Sequence, residues 1–244
     1  QEVEDEVGQI ETAYEMGLTY EKVGLFEEAD EYYLAAKSLA TKLNNPGLMA
    51  TGELYLANTA WFRGDYQRAL EFLSRAEKQT DSAKDDQLAI MIENTRGLIY
   101  WTLNDADKSL LHLSQAVALS KKANIQTELA SSLNNLGLVY RQQAKYEQSL
   151  IYFNQAKAID VALNSRWGLG YDYRNIGMSQ LKLGQLDKAE ANFIRSEQVS
   201  AAINNTTNQV KALLELGNIN LALEKNLKAT DFYTQAFTKA QRYG

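Results

Sequence analysis

Glycine recurs along this chain at a fixed distance, and that distance limits the possible folds more than any other feature of the sequence. Five of the fourteen glycines are 40 residues, or a multiple of 40, apart, and an alanine stands at the one missing step. The column consists of Gly17, Ala57, Gly97, Gly137, Gly177 and Gly217. A long period without insertions is typical of repeat proteins, in which each unit packs on its neighbours. The spacing therefore predicts six repeated units.

Further columns share the period and alternate in size. Small residues stand 12 and 19 positions after each member of the glycine column. Between them, 16 positions after it, stand the bulky residues Tyr33, Leu73, Leu113, Phe153, Phe193 and Tyr233. Apolar residues also recur three and four positions apart on both sides of a turn column, which begins with Gly24 and Gly64. Each unit is therefore predicted to be helix, turn, helix, with small residues that let the backbones approach and large ones that fill the gap opposite.

The predicted fold class is all-α: a right-handed α-solenoid of six helix-turn-helix repeats, with about twelve antiparallel helices. The chain has one proline, Pro46, in the joint between the first two units, where it least disturbs a helix. The second helices are predicted to end near Asn44, Asn124, Asn164 and Asn204, because asparagine suits a left-handed C-terminal cap. One domain is expected over residues 1–244, with repeats at 8–45, 46–85, 86–125, 126–165, 166–205 and 206–244.

The residue types present exclude several kinds of chemistry. Without cysteine there is no disulfide, thiolate zinc site or thiol nucleophile, and a single histidine excludes a histidine-based metal cluster. His112 precedes the bulky Leu113 and is interpreted as a helix-surface residue rather than the base of a catalytic triad. Gly168 and Gly170 lack the third glycine and the preceding strand of a dinucleotide-binding turn. We therefore predict no enzyme activity, no catalytic residue, no metal site and no cofactor.

Charge and hydropathy limit the partners. The chain has 31 acidic and 25 basic residues, a net charge of -6, and eleven of the acids lie within residues 1–31. The remainder is close to neutral, so nucleic acid is not expected as a ligand. No apolar run approaches the roughly 20 residues that a membrane-spanning helix needs. The absence of cysteine suits the cytoplasm and a bacterial periplasm equally.

The run LNNLGLVYRQQAKYEQSLIYFNQAKAI, residues 133–159, resembles a tetratricopeptide repeat. The residues at the family's signature positions are Leu136, Gly137, Tyr140, Tyr146, Ser149, Phe153 and Ala156. The usual period is about 34 residues and each unit usually ends in proline, so this chain resembles the longer-repeat subclass of the family. The resemblance covers essentially the whole chain. It implies a non-catalytic scaffold for protein–protein interaction, which binds a peptide segment of a partner protein in its concave groove.

The same resemblance places the peptide groove on the first helices of the repeats. If the glycine column is the eighth position of each unit, positions two, five, six, nine and twelve face this groove. The predicted groove residues are Asn58, Trp61, Asn94, Trp101, Asn134, Asn135, Arg141, Tyr171, Arg174 and Asn175. Asparagine amides can bond to the backbone of an extended peptide, and Arg141 and Arg174 can bind a carboxylate bidentately. The partner segment is thus expected to have apolar anchors and some acidic character.

The roles of the three tryptophans are interpreted separately. Trp61 and Trp101 stand 40 positions apart at the ends of their predicted helices. They either face the groove or cover the core of the next unit, and the sequence leaves both possibilities open. Trp167 is expected to pack between the fourth and fifth units rather than contact a ligand.

Two other functions stay open. In the first alternative, the chain is the sensor or regulatory portion of a larger regulator or enzyme; in the second, it is a self-associating assembly protein. A first residue other than methionine, Gln1, favours a chain processed or cut from something longer. Phe232, Phe237 and Tyr243 are expected to leave apolar surface at the C-terminal end, through which copies of the chain can associate.

Overall fold

The structure, a computed structural model, describes the backbone of residues 2–83 and 85–243 and the side chains of residues 6–80 and 85–241. Over those residues it has twelve α-helices and no strand, so the prediction of an all-α fold is confirmed. The chain divides into two compact units, Gln1–Ile125 and Gln126–Gly244.

Each unit contains six helices. The helices of the first unit are α1 Glu2–Lys22, α2 Phe26–Lys42, α3 Pro46–Phe62, α4 Tyr66–Ala83, α5 Asp86–Thr102 and α6 Ala106–Ala123. The helices of the second unit are α7 Gln126–Gln142, α8 Tyr146–Ala162, α9 Arg166–Lys182, α10 Leu186–Ala202, α11 Thr206–Ala222 and α12 Asn226–Tyr243. Successive helices pair into repeats, and within each unit the second helix of one repeat packs on the first helix of the next. The prediction of six helix-turn-helix repeats is confirmed, whereas a single domain and a right-handed stack stay predictions.

The glycine column and the bulky column interlock as their spacing predicts. A Cβ atom added at Gly137 would lie 2.6 Å from Cδ1 of Phe153, which is well inside van der Waals contact. The same close approach joins Gly17 to Tyr33 and Gly177 to Phe193. Phe153 is fully buried. The first helix of each such repeat therefore lies directly against a large side chain of its second helix, and this contact sets how closely the two helices pack.

The turn column fixes the bend inside each repeat. All six of its members have a positive φ: Gly24, Gly64, Asn104, Ala144, Gly184 and Glu224. The predicted caps Asn44, Asn124, Asn164 and Asn204 also have a positive φ, so the prediction of left-handed caps is confirmed. At ten of the described helix ends, a left-handed residue ends the helix and turns the chain into the next one.

We expect Ala144→Gly to raise the free energy of unfolding by about 0.5–1 kcal/mol, because alanine is strained in the left-handed region and glycine is not. Ala144 has a φ of 59° and is exposed, so the change removes no buried contact. Urea unfolding followed by circular dichroism measures the effect. The reverse change Gly64→Ala, at a φ of 81° with open space around it, is the matched control and should destabilise by a similar amount. Equal midpoints for all three proteins would contradict this explanation of the turn column.

Polar side chains cap the N-termini of several first helices of the repeats. The sequence analysis made no prediction for these positions. The side chains of Asn45, Asp85, Ser165 and Asn205 each accept a hydrogen bond from a backbone N–H three residues later. Such a cap satisfies a donor that the first turn of a helix leaves without a partner. These residues are spaced by the 40-residue period or a multiple of it, so the joints between repeats recur as regularly as the turns within them.

Within the described part of the chain, no helix is both long enough and apolar enough to cross a membrane.

Candidate peptide-binding surface

In the first unit, Trp61 links two repeats. Its ring stacks on Phe62 with 5.1 Å between centroids, and its Nε1 donates a 3.1 Å hydrogen bond to Oγ1 of Thr102, at the end of α5. Trp61 is half-buried and packs against the apolar core of this unit. Of the two alternatives, the structure favours the one in which Trp61 covers the next repeat. Asn58 and Trp101 are likewise half-buried on α3 and α5.

Two of the predicted groove amides are not accessible. Asn94 on α5 is 7% exposed and Asn175 on α9 is 3% exposed. A peptide cannot reach either side chain without a rearrangement of its surroundings, so their direct contact with a ligand is not supported. Asn175 faces the adjacent first helix, where its side chain donates a hydrogen bond to Asn134. Asn134 and Asn135 are half-buried.

His112 is held in a partly buried polar network, which the sequence analysis missed. Its Nδ1 lies 2.8 Å from Oε2 of Glu93, and its ring stacks on Tyr100 with 5.4 Å between centroids. Oε1 of Glu93 accepts from Arg96 Nη1 at 2.8 Å, and Nη2 of the same guanidinium donates to Oε2 of Glu77 at 2.8 Å. The interpretation of His112 as a helix-surface residue is wrong, because its side chain is only 17% exposed. Its role is to join α5 and α6.

In the first two repeats, three tyrosine rings pack against one another near two glutamates. Tyr55 lies with its ring centroid 5.4 Å from that of Tyr14 and 5.0 Å from that of Tyr33. Burial raises the pKa of the Tyr55 hydroxyl, and the carboxylates of Glu15 and Glu21 raise it further. These tyrosines pack as core residues, so this part of the first helices is structural.

In the second unit, a chain of hydrogen bonds connects three helices. Nη1 of Arg141 donates to Oδ1 of Asn175 at 3.1 Å. Nδ2 of Asn175 donates to Oδ1 of Asn134 at 2.9 Å, and Nδ2 of Asn134 donates to Oδ1 of Asp172 at 2.6 Å. Asp160, on α8, lies within hydrogen-bonding reach of Asp172. Four of the five residues lie on α7 and α9, so the predicted amides Asn134 and Asn175 hold two adjacent first helices together.

The carboxyl groups of Asp160 and Asp172, at the end of this series of hydrogen bonds, lie together in the interior. Asp172 is fully buried, and burial raises its pKa to about 8, with a smaller contribution from the charge of Asp160. The pKa of Asp160 is also raised, chiefly by burial. Gly168 leaves the space for the Asp160 carboxyl group, because a Cβ atom there would overlap Oδ2 of Asp160. The glycines near Trp167 therefore serve packing, as their failure to fit a nucleotide-binding turn suggests.

Arginine and lysine side chains gather on the same helices. Arg141, Arg174 and Lys211 lie on α7, α9 and α11, and each has a lowered pKa. Burial lowers the pKa of Arg141 to about 10, with a further contribution from the charge of Arg174. Burial and then Arg174 also lower the pKa of Lys211, which was not among the predicted site residues. The charge of Arg174 therefore acts on each of the other two side chains.

An aromatic face adjoins these cations on α9. The rings of Trp167 and Tyr171 have centroids 5.7 Å apart, and the guanidinium carbon of Arg174 lies 5.7 Å from the centroid of Tyr171. Trp167 is 60% exposed, so the prediction that it packs between two repeats is wrong. It stands in the first turn of α9. Trp167, Tyr171 and Arg174 form one stripe, since they lie four and three positions apart.

The C-terminal helix α12 leaves large apolar side chains uncovered. Phe237 is 62% exposed and Leu227 is 90% exposed, while Phe232 is partly buried against the core of the second unit. The side chain of Tyr243 lies outside the described residues. Among the residues that are described, no group of three or more histidine, cysteine, aspartate or glutamate residues is arranged to hold a metal ion.

Comparison with known proteins agrees with this architecture. Solved structures with similar folds include BtubC from P. vanneervenii, 17% identical, with a TM-score of 0.74 over 89% of this chain and 91% of that chain. A Rap protein complexed with Competence and Sporulation Factor is 15% identical, with a TM-score of 0.76 over 96% of this chain and 75% of that chain. The Rap conjugation gene regulator of plasmid pLS20, in complex with the Phr* peptide, is 12% identical, with a TM-score of 0.73 over 94% and 73%.

At these identities the solved structures show the shared fold alone. No curated protein sequence matches the chain significantly. The sequence profile of the tetratricopeptide repeat matches residues 9–82 and 86–160, which together make up more than half of the chain. With the six helix-turn-helix repeats and the glycine column, this match identifies the chain as a member of the tetratricopeptide repeat family.

Proposed function

We propose that this chain is a non-catalytic interaction scaffold, which binds a peptide segment of a partner protein along the first helices of its repeats. The observation that carries this proposal is the stripe of Trp167, Tyr171 and Arg174 on α9. An exposed tryptophan beside a tyrosine and an arginine combines the three residue types that most often dominate binding energy at protein interfaces.

The comparisons support the same proposal. Tetratricopeptide repeats are helical repeats whose stacked units present extended binding surfaces. Two of the similar structures are Rap proteins, which were solved with Competence and Sporulation Factor and with the Phr* peptide. Ligand capture by a helical repeat of this type is therefore physically reasonable for this chain.

We expect the double variant Trp167→Ala, Tyr171→Ala to lose at least about 30-fold in affinity for the physiological partner, because truncation of such residues commonly costs 2 kcal/mol or more. The protein is used to purify partners from native extract, and the binding segment of a recovered partner is then measured by isothermal titration calorimetry. The control is Ile151→Ala, Ile194→Ala, which removes exposed apolar side chains from α8 and α10, second helices of the same unit. Equal affinity of the stripe variant and the wild type would contradict the proposal.

Self-association is a second candidate function, favoured by the exposed Leu227 and Phe237 on α12. Copies of the chain would then bury this end against one another. Sedimentation over a range of concentrations distinguishes the two functions, because a monomer at all concentrations excludes self-association and leaves the peptide-binding proposal intact.

A further inference from the structure

A cavity of about 380 Å³ opens between α4, α5 and α6 in the first unit. Its apolar surface comes from residues that include Ile92 and Leu119, and its polar surface from residues that include Glu77 and Glu93. A buried apolar cavity of about 150 Å³ is large enough to bind benzene, so by volume this one can hold a molecule of up to about fifteen non-hydrogen atoms. It is also within the size range of small-molecule sites in proteins.

The 40-residue period explains why this space is unfilled. Ala89 lines the cavity, and the residues at the same position of the second, fourth and fifth repeats are Met49, Leu129 and Leu169. Met49 packs against the apolar core of the first unit, and Leu129 is 7% exposed. Three other repeats therefore have a large side chain where the third repeat has only a methyl group, and the missing volume belongs to the cavity.

The same comparison between repeats shows that positive charge is missing as well. In the second repeat, the buried Glu53 forms ion pairs with Lys37 at 2.6 Å and with Arg75 at 3.1 Å. The three corresponding residues of the third repeat, 40 positions later, all line the cavity: Glu77, Glu93 and Gln115. The buried acid is thus retained, whereas one cation is replaced by a second acid and the other by a neutral amide.

Arg96 compensates only one of these two acids. Its Nη1 donates to Oε1 of Glu93 and its Nη2 to Oε2 of Glu77, both at 2.8 Å. With His112 counted as neutral, two carboxylates stand against one guanidinium group, which leaves one negative charge in excess. Oε1 of Glu77 accepts no hydrogen bond from any residue that the structure describes, and this side chain is 51% exposed. Arg96 therefore orients a carboxylate that a cation can reach from solvent.

We propose that this cavity binds a small organic cation, with its ammonium or guanidinium group on Glu77 and its apolar body against Ile92 and Leu119. The cation supplies the positive charge that the second repeat has and the third lacks, and the apolar body fills the space left by Ala89. A charge-assisted hydrogen bond to a carboxylate is stronger than a neutral one, and burial of the apolar body adds affinity. Because α9 takes no part in this site, it is independent of the proposed peptide-binding stripe.

The test compares probes of similar size and different charge, namely 2-phenylethylamine, which is a cation at neutral pH, 2-phenylethanol and phenylacetate. Binding to the full chain is measured by NMR of isoleucine and leucine methyl groups, where the signals of Ile92 and Leu119 report on the cavity. We expect the amine to bind with a Kd of about 1 mM or lower, and the alcohol and the acid at least about tenfold more weakly. Equal binding of amine and alcohol would overturn the cation assignment. No response to any probe at about 10 mM would overturn the site itself.

Two variants separate the volume of the cavity from its charge. Ala89→Met introduces the residue of the preceding repeat and should abolish binding of the amine and the alcohol alike. Glu77→Gln keeps the size of the side chain and should weaken binding of the amine at least about tenfold, with little effect on the alcohol. The matched controls are Ala35→Met on α2 and Glu71→Gln on α4, both at exposed positions, which should bind as the wild type does.

Urea unfolding followed by circular dichroism shows whether each variant is folded. Wild-type binding of the amine by a folded Ala89→Met variant would mean that the probe binds elsewhere, and this result would overturn the proposal. If Ala89→Met does not fold, Glu77→Gln decides alone, because unchanged affinity for the amine in that variant also contradicts a cation site at this carboxylate.

Discussion

Phe153→Ala should lower the free energy of unfolding by about 3–5 kcal/mol, because it removes a large side chain from a site that cannot collapse. Phe153 is fully buried on α8 and lies against the backbone of α7 at Gly137. Urea unfolding followed by circular dichroism measures the loss. Phe237→Ala, at a site that is 62% exposed, is the control and should change the stability by less than about 1 kcal/mol.

The contact between Gly137 and Phe153 also predicts that the effect of Gly137→Ala depends on the residue at position 153. Alone, Gly137→Ala should destabilise by about 1–3 kcal/mol, because its methyl group overlaps the ring of Phe153. In the Phe153→Ala background the overlap is gone, and the same change should stabilise by about 0.5–1 kcal/mol through helix propensity. The sign of the effect therefore reverses. Additive effects of the two changes would contradict the interlocking of these positions.

The repeat architecture could be predicted because the same steric requirements recur in several repeats of the sequence. A glycine that faces a ring 16 positions later appears as a pair of columns, and one decayed unit does not hide the rest. The left-handed turn residue is similarly visible, although Ala144 and Glu224 stand where glycine is the natural choice. Steric requirements of this kind depend on residue size, which the sequence states directly.

The candidate surface could be predicted only in part, because a polar side chain on a helix has several possible partners. Asn134 and Asn175 were predicted to meet a peptide, but they bond to each other. Their separation of 41 residues was the available signal, since one period plus one position brings two first helices side by side. Trp61 and Thr102 have the same separation and are also bonded. The exposure of Trp167 had no such signal, because it depends on what the adjacent repeat leaves uncovered.

The carboxyl group of Asp172 should make the stability of this protein fall as the pH rises. An aspartate in the unfolded chain loses its proton near pH 4, as is usual, whereas burial raises the pKa of Asp172 to about 8 in the folded protein. Between those values the folded state holds a proton that the unfolded state has released. The free energy of unfolding therefore declines with rising pH across this window and levels off above it.

Asp172→Asn should remove most of this decline and raise the free energy of unfolding at pH 8 by about 2–4 kcal/mol. The amide keeps an oxygen to accept from Asn134 and offers an N–H to Asp160, so both contacts persist without a bound proton. Urea unfolding at pH 5 and pH 8 measures the difference. Asp187→Asn, at an exposed position on α10, is the control and should keep the wild-type dependence on pH. A variant with the wild-type slope would show that Asp172 ionises normally.

The same variant separates stability from ligand binding. Asn134 is held on one side by residue 172 and on the other by Asn175, which in turn holds the guanidinium group of Arg141. Because Asp172→Asn preserves the acceptor for Asn134, this chain of hydrogen bonds keeps its direction and Arg141 keeps its place. The peptide segment of a recovered partner should therefore bind the variant as it binds the wild type at pH 6, where Asp172 is protonated in the folded protein. A large loss of binding would mean that the proton on Asp172, and not only the shape of its side chain, controls the peptide-binding surface.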